Sequence, residues 1–407
     1  MGDFEVPRGA RVRVGRVEGD LRAEGNVTIS PEGTGPIDVS GRVRLNGDAT
    51  FEASLQCREL RADRGVVRIQ GDLTVSGELV AEHSEVQVSG GLTAGEVDID
   101  RALRVVGAVT AARLEVGGLF EARGDVTAES VEVGGQLEVG GTLTARSVEA
   151  GGSARVAEIV VETLEAGGRA TVGKGTIRRS IEAGGVFESS GALNFGSLEV
   201  GGAVRLGAGS RGQRIEVGGK FSADGDLAFT SLEIGGLGDI GGSASGESVE
   251  VGGQLDVAGG LKLTGTLEIG GRIRVGGSLE ASSVEVGGEL RAKRALVTET
   301  LEIGGRLETT EGARARVVQL ERRSEAQGPL YGERVVLGRK CRADRIVARV
   351  VEVGDGSKVG EIVAENVHLG SDVEVGKLQY VAGLQTGSGT RISEVPVKIT
   401  SMPPLPF

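Results

Sequence analysis

Tryptophan is absent from this 407-residue sequence, and all aromatic residues together make up only 2% of it. The interior volume must therefore come from Val, Leu, Ile and Ala, which suit a narrow core of small aliphatic layers. Proline is nearly as scarce, at 8 residues, although glycine reaches 72. That imbalance excludes collagen and proline-rich tail proteins. There are two cysteines, Cys57 and Cys341. They stand far apart at apolar positions of the pattern and read as reduced core thiols of a cytoplasmic protein, not as a secreted disulfide framework. The only two histidines, His83 and His368, lie 285 positions apart. No zinc site, other metal site or cofactor is expected from so few ligands. Long apolar runs are missing too. No segment approaches membrane-spanning length, and MGDFEVPRGA has neither the n-region nor the h-region of a signal peptide. Val6 stands where a myristoylation motif needs Ser or Thr. Membrane association is thus not expected. Basic charge is in deficit, with 46 Lys and Arg against 58 Asp and Glu, a net charge of −12. This opposes general affinity for nucleic acid.

What is present is a repeated phrase. SVEVGG (130–135), SVEAGG (147–152), SIEAGG (180–185), SLEVGG (197–202), SLEIGG (231–236) and TLEIGG (266–271, 300–305) are variants of one another. Their glutamates, with those of the intervening units, are Glu115, Glu132, Glu149, Glu165, Glu182, Glu199, Glu216, Glu233, Glu250, Glu268, Glu285 and Glu302. The spacing is 17 residues with single-residue slips. Such a period marks a repeat architecture, and helical periodicity is absent from these segments. Within one period, Val131/Val133, Leu137/Val139 and Leu143/Ala145 sit at alternate positions, so each pair faces one way. Glycine pairs or polar residues separate them, where the chain must bend and a positive φ is useful.

Three short strands and three corners describe one turn of an all-β, single-domain triangular parallel β-helix (a β-solenoid), right-handed. It has about 17 residues per coil and about 22 coils, a rod on the order of 100 Å long. The domain reading is a short N-terminal tail (1–11), a solenoid (12–395) and a proline-rich C-terminal tail (396–407). The solenoid is regular to about 305. Over 306–350 the glycine pairs stop, and 11 Arg and Lys stand against 6 Asp and Glu; looser corners are expected there. SPEGTGP (30–36) reads as a corner insertion and GAGSRG (207–212) as a bulge or loop.

Stacking places the twelve glutamates in one outer row, each about 4.8 Å from the next. Coulomb repulsion in water is then about 0.9 kcal/mol per adjacent pair, roughly halved at physiological salt. A hydroxylic column (Ser130, Ser147, Thr163, Ser180, Ser197 and onward) runs two residues earlier. The plain reading is a duplicated solvated face whose charge is offset by Arg155, Arg169, Arg205, Lys220, Arg272 and Arg274. The sharper reading is a strip for lateral bundling or cation binding.

Several motifs tempt and fail. GAGSRG satisfies G-x-G-x-x-G but precedes another strand, where a dinucleotide site needs a helix. GRATVGKG (168–175) approaches a Walker A loop but ends in Gly175 where Ser or Thr would hold magnesium. Glycosidase chemistry needs paired carboxylates across a groove, and the short corners and scarce aromatics argue against it. Nucleic-acid binding needs basic residues with stacking aromatics, and Tyr331 stands alone near the basic stretch. No enzyme activity is expected.

The units Leu137-Glu-Val-Gly-Gly141 and Leu267-Glu-Ile-Gly-Gly271, the chain-wide triangular repeat and the short non-helical tails resemble the bactofilins, a family of β-helical cytoskeletal proteins. The likeness covers roughly residues 12–395. It implies end-to-end assembly into filaments without nucleotide. A typical bactofilin core is far shorter and has longer disordered tails. No capping helix is evident at 1–15 or 385–407, so the end coils are expected to carry unpaired ladders. Val12, Val14 and Val17 at one end, and Ile392 and Val395 at the other, are the expected polymer-interface residues, with the protein itself as partner. The alternative is a non-polymerising scaffold or adhesin whose ends are covered by the tails. PPLPF (403–407) would fold over the last coil and Phe4 over the first, or the C-terminal tail would dock a protein partner.

Overall fold

The computed structural model describes residues 2–405. Every element among them is a β-strand, none a helix, and the described strands pair in parallel. The chain makes a β-solenoid of about 23 turns, roughly 17 residues apart. It divides into two compact units, Met1–Gly201 and Gly202–Phe407, a division of which the sequence period gives no sign.

One coil of the first unit shows the construction. Ser130–Val133 forms the first face and Gln136–Thr144 the second and third. Ser130–Val133 lies between Arg113–Val116 and Ser147–Ala150, each residue against its repeat equivalent. Inward positions therefore stack like on like: Leu114, Val131, Val148, Leu164, Ile181 and Leu198 are at most 2% exposed. The second unit repeats this with Ile215, Leu232, Val249, Leu267, Val284 and Leu301. The few phenylalanines Phe51, Phe120, Phe187 and Phe221 are fully buried and sit beside smaller partners. Phe221 stacks on Gly238, where a Cβ would come within 2.8 Å of both Ile234 Cδ1 and Leu255 Cδ1.

The paired glycines serve a purpose other than positive φ. Gly134 and Gly135 are not left-handed. A Cβ on them would lie 2.3 and 2.4 Å from the carbonyl oxygens of Gly117 and Gly118, one coil below. Close backbone approach between coils is what demands glycine here. Aspartates clamp other corners: Asp125 accepts a hydrogen bond from Thr142 N–H at 2.8 Å, and Asp72 and Asp226 do the same from Gly91 and Ser243.

The solenoid begins earlier than residue 12. Phe4–Val6 is a strand paired in register with Leu21, Arg22 and Ala23, so the expected N-terminal tail is part of the first coil. Arg16 pairs with Asp38, 22 positions on, and so the segment 32–36 is an exposed corner insertion. Residues 207–210 form a turn with Gly209 at φ 79° and lead into the strand Arg211–Val217. The segment 306–350 keeps long strands, Arg306–Leu320, Glu325–Leu337 and Arg342–Val353. Only its corners change. A left-handed residue, Arg323 (φ 67°) or Lys340 (φ 60°), replaces the glycine pair, and its N–H donates to the carbonyl of Arg339 or Asp355 on the next coil.

Candidate assembly surfaces

The terminal coils hold the residues expected to join copies. At the first coil, Val14 and Val17 are buried, at 4% and 5% exposure, whereas Val12 is only half-buried. Phe4, also half-buried, belongs with it. The sequence carried this signal, since Phe4-x-Val6 stands 17 residues before Leu21-x-Ala23. Phe4–Val6, Arg11–Val14 and Arg16–Val17 pair on one side only among the described residues. At the other end, Arg391–Ile392 and Val397–Lys398 add two short stubs to Glu374–Thr386. Ile392 is half-buried there, and Val395, between the stubs, is 85% exposed. Leu384 in the last full coil is half-buried as well.

Among the described residues, neither tail covers an end. Phe4 is itself a strand residue. The C-terminal segment turns back along the flank, where Ile399, Met402 and Leu405 pack on Tyr331, Val347 and Val363. Of PPLPF, Pro406 and Phe407 lie outside the described residues.

The glutamate row forms in register within each unit. Glu115, Glu132, Glu149, Glu165, Glu182 and Glu199 are successive partners in the first. Glu216, Glu233, Glu250, Glu268, Glu285 and Glu302 are successive partners in the second. Gln319 ends the row, its amide donating to Glu302 at 3.1 Å. Shallow grooves of about 260 and 360 Å³ run between the glutamate and hydroxyl columns.

The offsetting cations expected from the sequence do not meet this row. They stand on the second face, past the glycine pair, where Arg155 pairs with Glu138, Arg205 with Asp224 and Arg272 with Glu289. None of the twelve glutamates forms an ion pair among the described residues. From Arg272 onward the second face of the C-terminal unit mixes its charges instead: Arg272, Glu289, Arg306, Glu325, Arg342, Lys358, Glu374 and Arg391 follow one another in register, alternating except at the pair Arg342 and Lys358. Bridges of 2.9, 3.1 and 2.6 Å join Arg272–Glu289, Arg306–Glu325 and Lys358–Glu374. Hydrogen bonding and charge from Lys358 hold the Glu374 carboxyl below its ordinary range.

Known family models, curated proteins and solved structures give no match to this chain.

The tempting motifs dissolve into the repeat, since 168–175 falls largely inside the strand Arg169–Ala183. His368 is an exposed residue of Lys358–Leu369. His83 is an exposed corner residue at φ 51° that lies beside Asp63 and Glu82. That trio is not visible in the sequence, because it assembles across two coils. Arg64 already engages the Asp63 carboxylate at 3.1 Å. Cys57 is buried, and desolvation pushes its thiol up to about 12. Burial also raises Cys341, whose Sγ–H donates to the Glu321 carbonyl at 2.8 Å. Both are free thiols.

Proposed function

We propose that the protein is a non-catalytic structural element that assembles end to end through its terminal coils, without nucleotide, in the manner of the bactofilins it resembles. One observation carries this reading. The first coil leaves the outer edge of Phe4–Val6 and Arg11–Val14 unpaired among the described residues while Phe4 and Val12 stay half-exposed. An unpaired parallel ladder with apolar groups behind it is a template for another strand. A second copy's last coil, built from the same parallel ladder, supplies the complement. Two buried free cysteines fit a reducing, cytoplasmic setting.

A scaffold that stays monomeric is the second reading, and it draws on the opposite end. The stubs there are two residues long and flank Pro396, which lacks an N–H, and short, proline-bearing edges discourage pairing. Sedimentation of the purified protein separates the two. Assembly predicts concentration-dependent pelleting without nucleotide, abolished by Phe4→Asp with Val12→Asp while the circular dichroism spectrum is retained. Pelleting that survives the double substitution removes the proposed joint, and a chain that never pellets favours the monomeric scaffold.

A further inference from the structure

The third face of the C-terminal unit has a stripe the coil does not need. Val347 stands between inward Ile346 and Ala348, and so projects outward. Tyr331, Val347 and Val363 are register partners on successive coils. Outward apolar residues are ordinarily exposed, yet these are 8%, 2% and 2% exposed. Ile399, Met402 and Leu405 pack against them.

The covering segment lays three apolar residues along the stripe. Its apolar residues recur every third position, and residues 402–405, with Pro403 and Pro404, adopt neither helix nor strand. A polyproline II chain has three residues per turn, so this spacing presents one apolar edge. One such turn rises about 9.3 Å, and two coils of the solenoid span about 9.6 Å. The single turn from Met402 to Leu405 thus reaches across about two coils.

Leu405 also borders a cavity of about 880 Å³ lined by Leu296, Val297, Ala315, Arg314 and Glu333. The chain leading into the segment is lightly held. It touches the last full coil through the two-residue stubs Arg391–Ile392 and Val397–Lys398, with exposed Val395 followed by Pro396 between them.

We infer that Ile399–Leu405 is an exchangeable strap, and that the third-face groove of one copy takes this segment from a second copy, joining the two side by side. Exchange keeps the same three contacts, so it opposes nothing but the linker, which is short, exposed and proline-bearing. Two copies trading straps make a reciprocal, closed interface. The contact uses the flank and not the coil ends, so it is independent of end-to-end assembly.

Two measurements test it. A peptide of residues 394–407 is titrated, by fluorescence anisotropy, into protein lacking residues 396–407. Binding is expected, weakened at least about tenfold by Val347→Asp, which places a charge on the apolar stripe. In the full chain, a Met402→Cys copy is mixed with a differently tagged Val347→Cys copy and treated with a short bismaleimide. The native thiols are buried, so a covalent heterodimer of the two tags is the expected product. The inference is overturned if no heterodimer forms at any concentration while a Met402→Cys/Val347→Cys double variant closes within one chain. This holds even where the peptide binds. If the truncated chain does not fold, the crosslinking of the full chain decides alone.

Discussion

Replacing Gly134 by alanine tests the stacking geometry at one atom. The new Cβ would sit 2.3 Å from the Gly117 carbonyl oxygen, where ordinary contact begins at 3.4 Å. The two coils must part locally by about 1 Å, a large share of a step of about 4.8 Å. The Gly134 N–H bond to the Val116 carbonyl, 2.9 Å in the native coil, would be carried past the range of a useful hydrogen bond. Losing one or two ladder bonds costs about 1 kcal/mol each, and the residual overpacking about 1–2 kcal/mol more. A total of about 2–4 kcal/mol is a large part of a typical folding stability of about 5–15 kcal/mol. Gly33 supplies the control, since a Cβ there meets nothing within 4 Å. Gly33→Ala should be neutral or stabilising by up to about 1 kcal/mol, through the unfolded chain. Urea unfolding followed by far-ultraviolet circular dichroism compares the two midpoints. If Gly134→Ala unfolds where Gly33→Ala does, the glycine pairs are not there for close approach.

Three further outcomes are expected. Glu132→Gln with Glu165→Gln removes four like-charge contacts in the first unit. At about 0.5 kcal/mol each after screening, it should stabilise by about 2 kcal/mol, with the gain shrinking as salt is added; a salt-independent difference in melting temperature would contradict an uncompensated row. Gly238→Leu drives a side chain against Ile234 and Leu255, over Phe221, and should cost about 1–3 kcal/mol, so unchanged thermal stability would mean that the packing around Gly238 is looser than these contacts imply. The Asp20 carboxyl lies below its ordinary value of 3.8 because it accepts the Arg42 N–H at 2.9 Å, with the charges of Arg44, Arg42 and Arg22 adding to the effect. A depressed folded-state value gives stability that is full above the unfolded value and lost as pH falls through the folded one. The loss should therefore appear only below about pH 4, and Asp20→Asn should flatten it; an unchanged acid limb of the stability curve would exclude this carboxylate.

The three-sided coil was legible because its evidence is repeated. Leu-x-Val pairs at fixed intervals reveal inward columns even when single units are ambiguous. Phe4–Val6 obeys the same rule, but the run before residue 12 is too short to reveal a coil. The reason for the glycine pairs was not legible, since a sequence cannot distinguish a left-handed φ from a carbonyl beneath a missing Cβ. The cations failed as counter-charges for the same kind of reason. Arg155 and Arg272 are near the glutamate row in sequence, but a corner turns them onto another face. The strap's docking stripe did leave a trace, because Ile346-Val-Ala and Ile362-Val-Ala are unbroken apolar runs, which in a strand signal cover on both sides. The trio Asp63, Glu82 and His83 left none, being assembled only by stacking.

Electron cryomicroscopy of the purified full chain, over a wide range of concentration and without nucleotide, tests the central claim most directly. The account predicts filaments in which strand layering at about 4.8 Å continues through each joint, with Phe4 and Val12 of one copy facing the last coil of the next. Single particles at every concentration, or filaments joined only through their flanks, would contradict it.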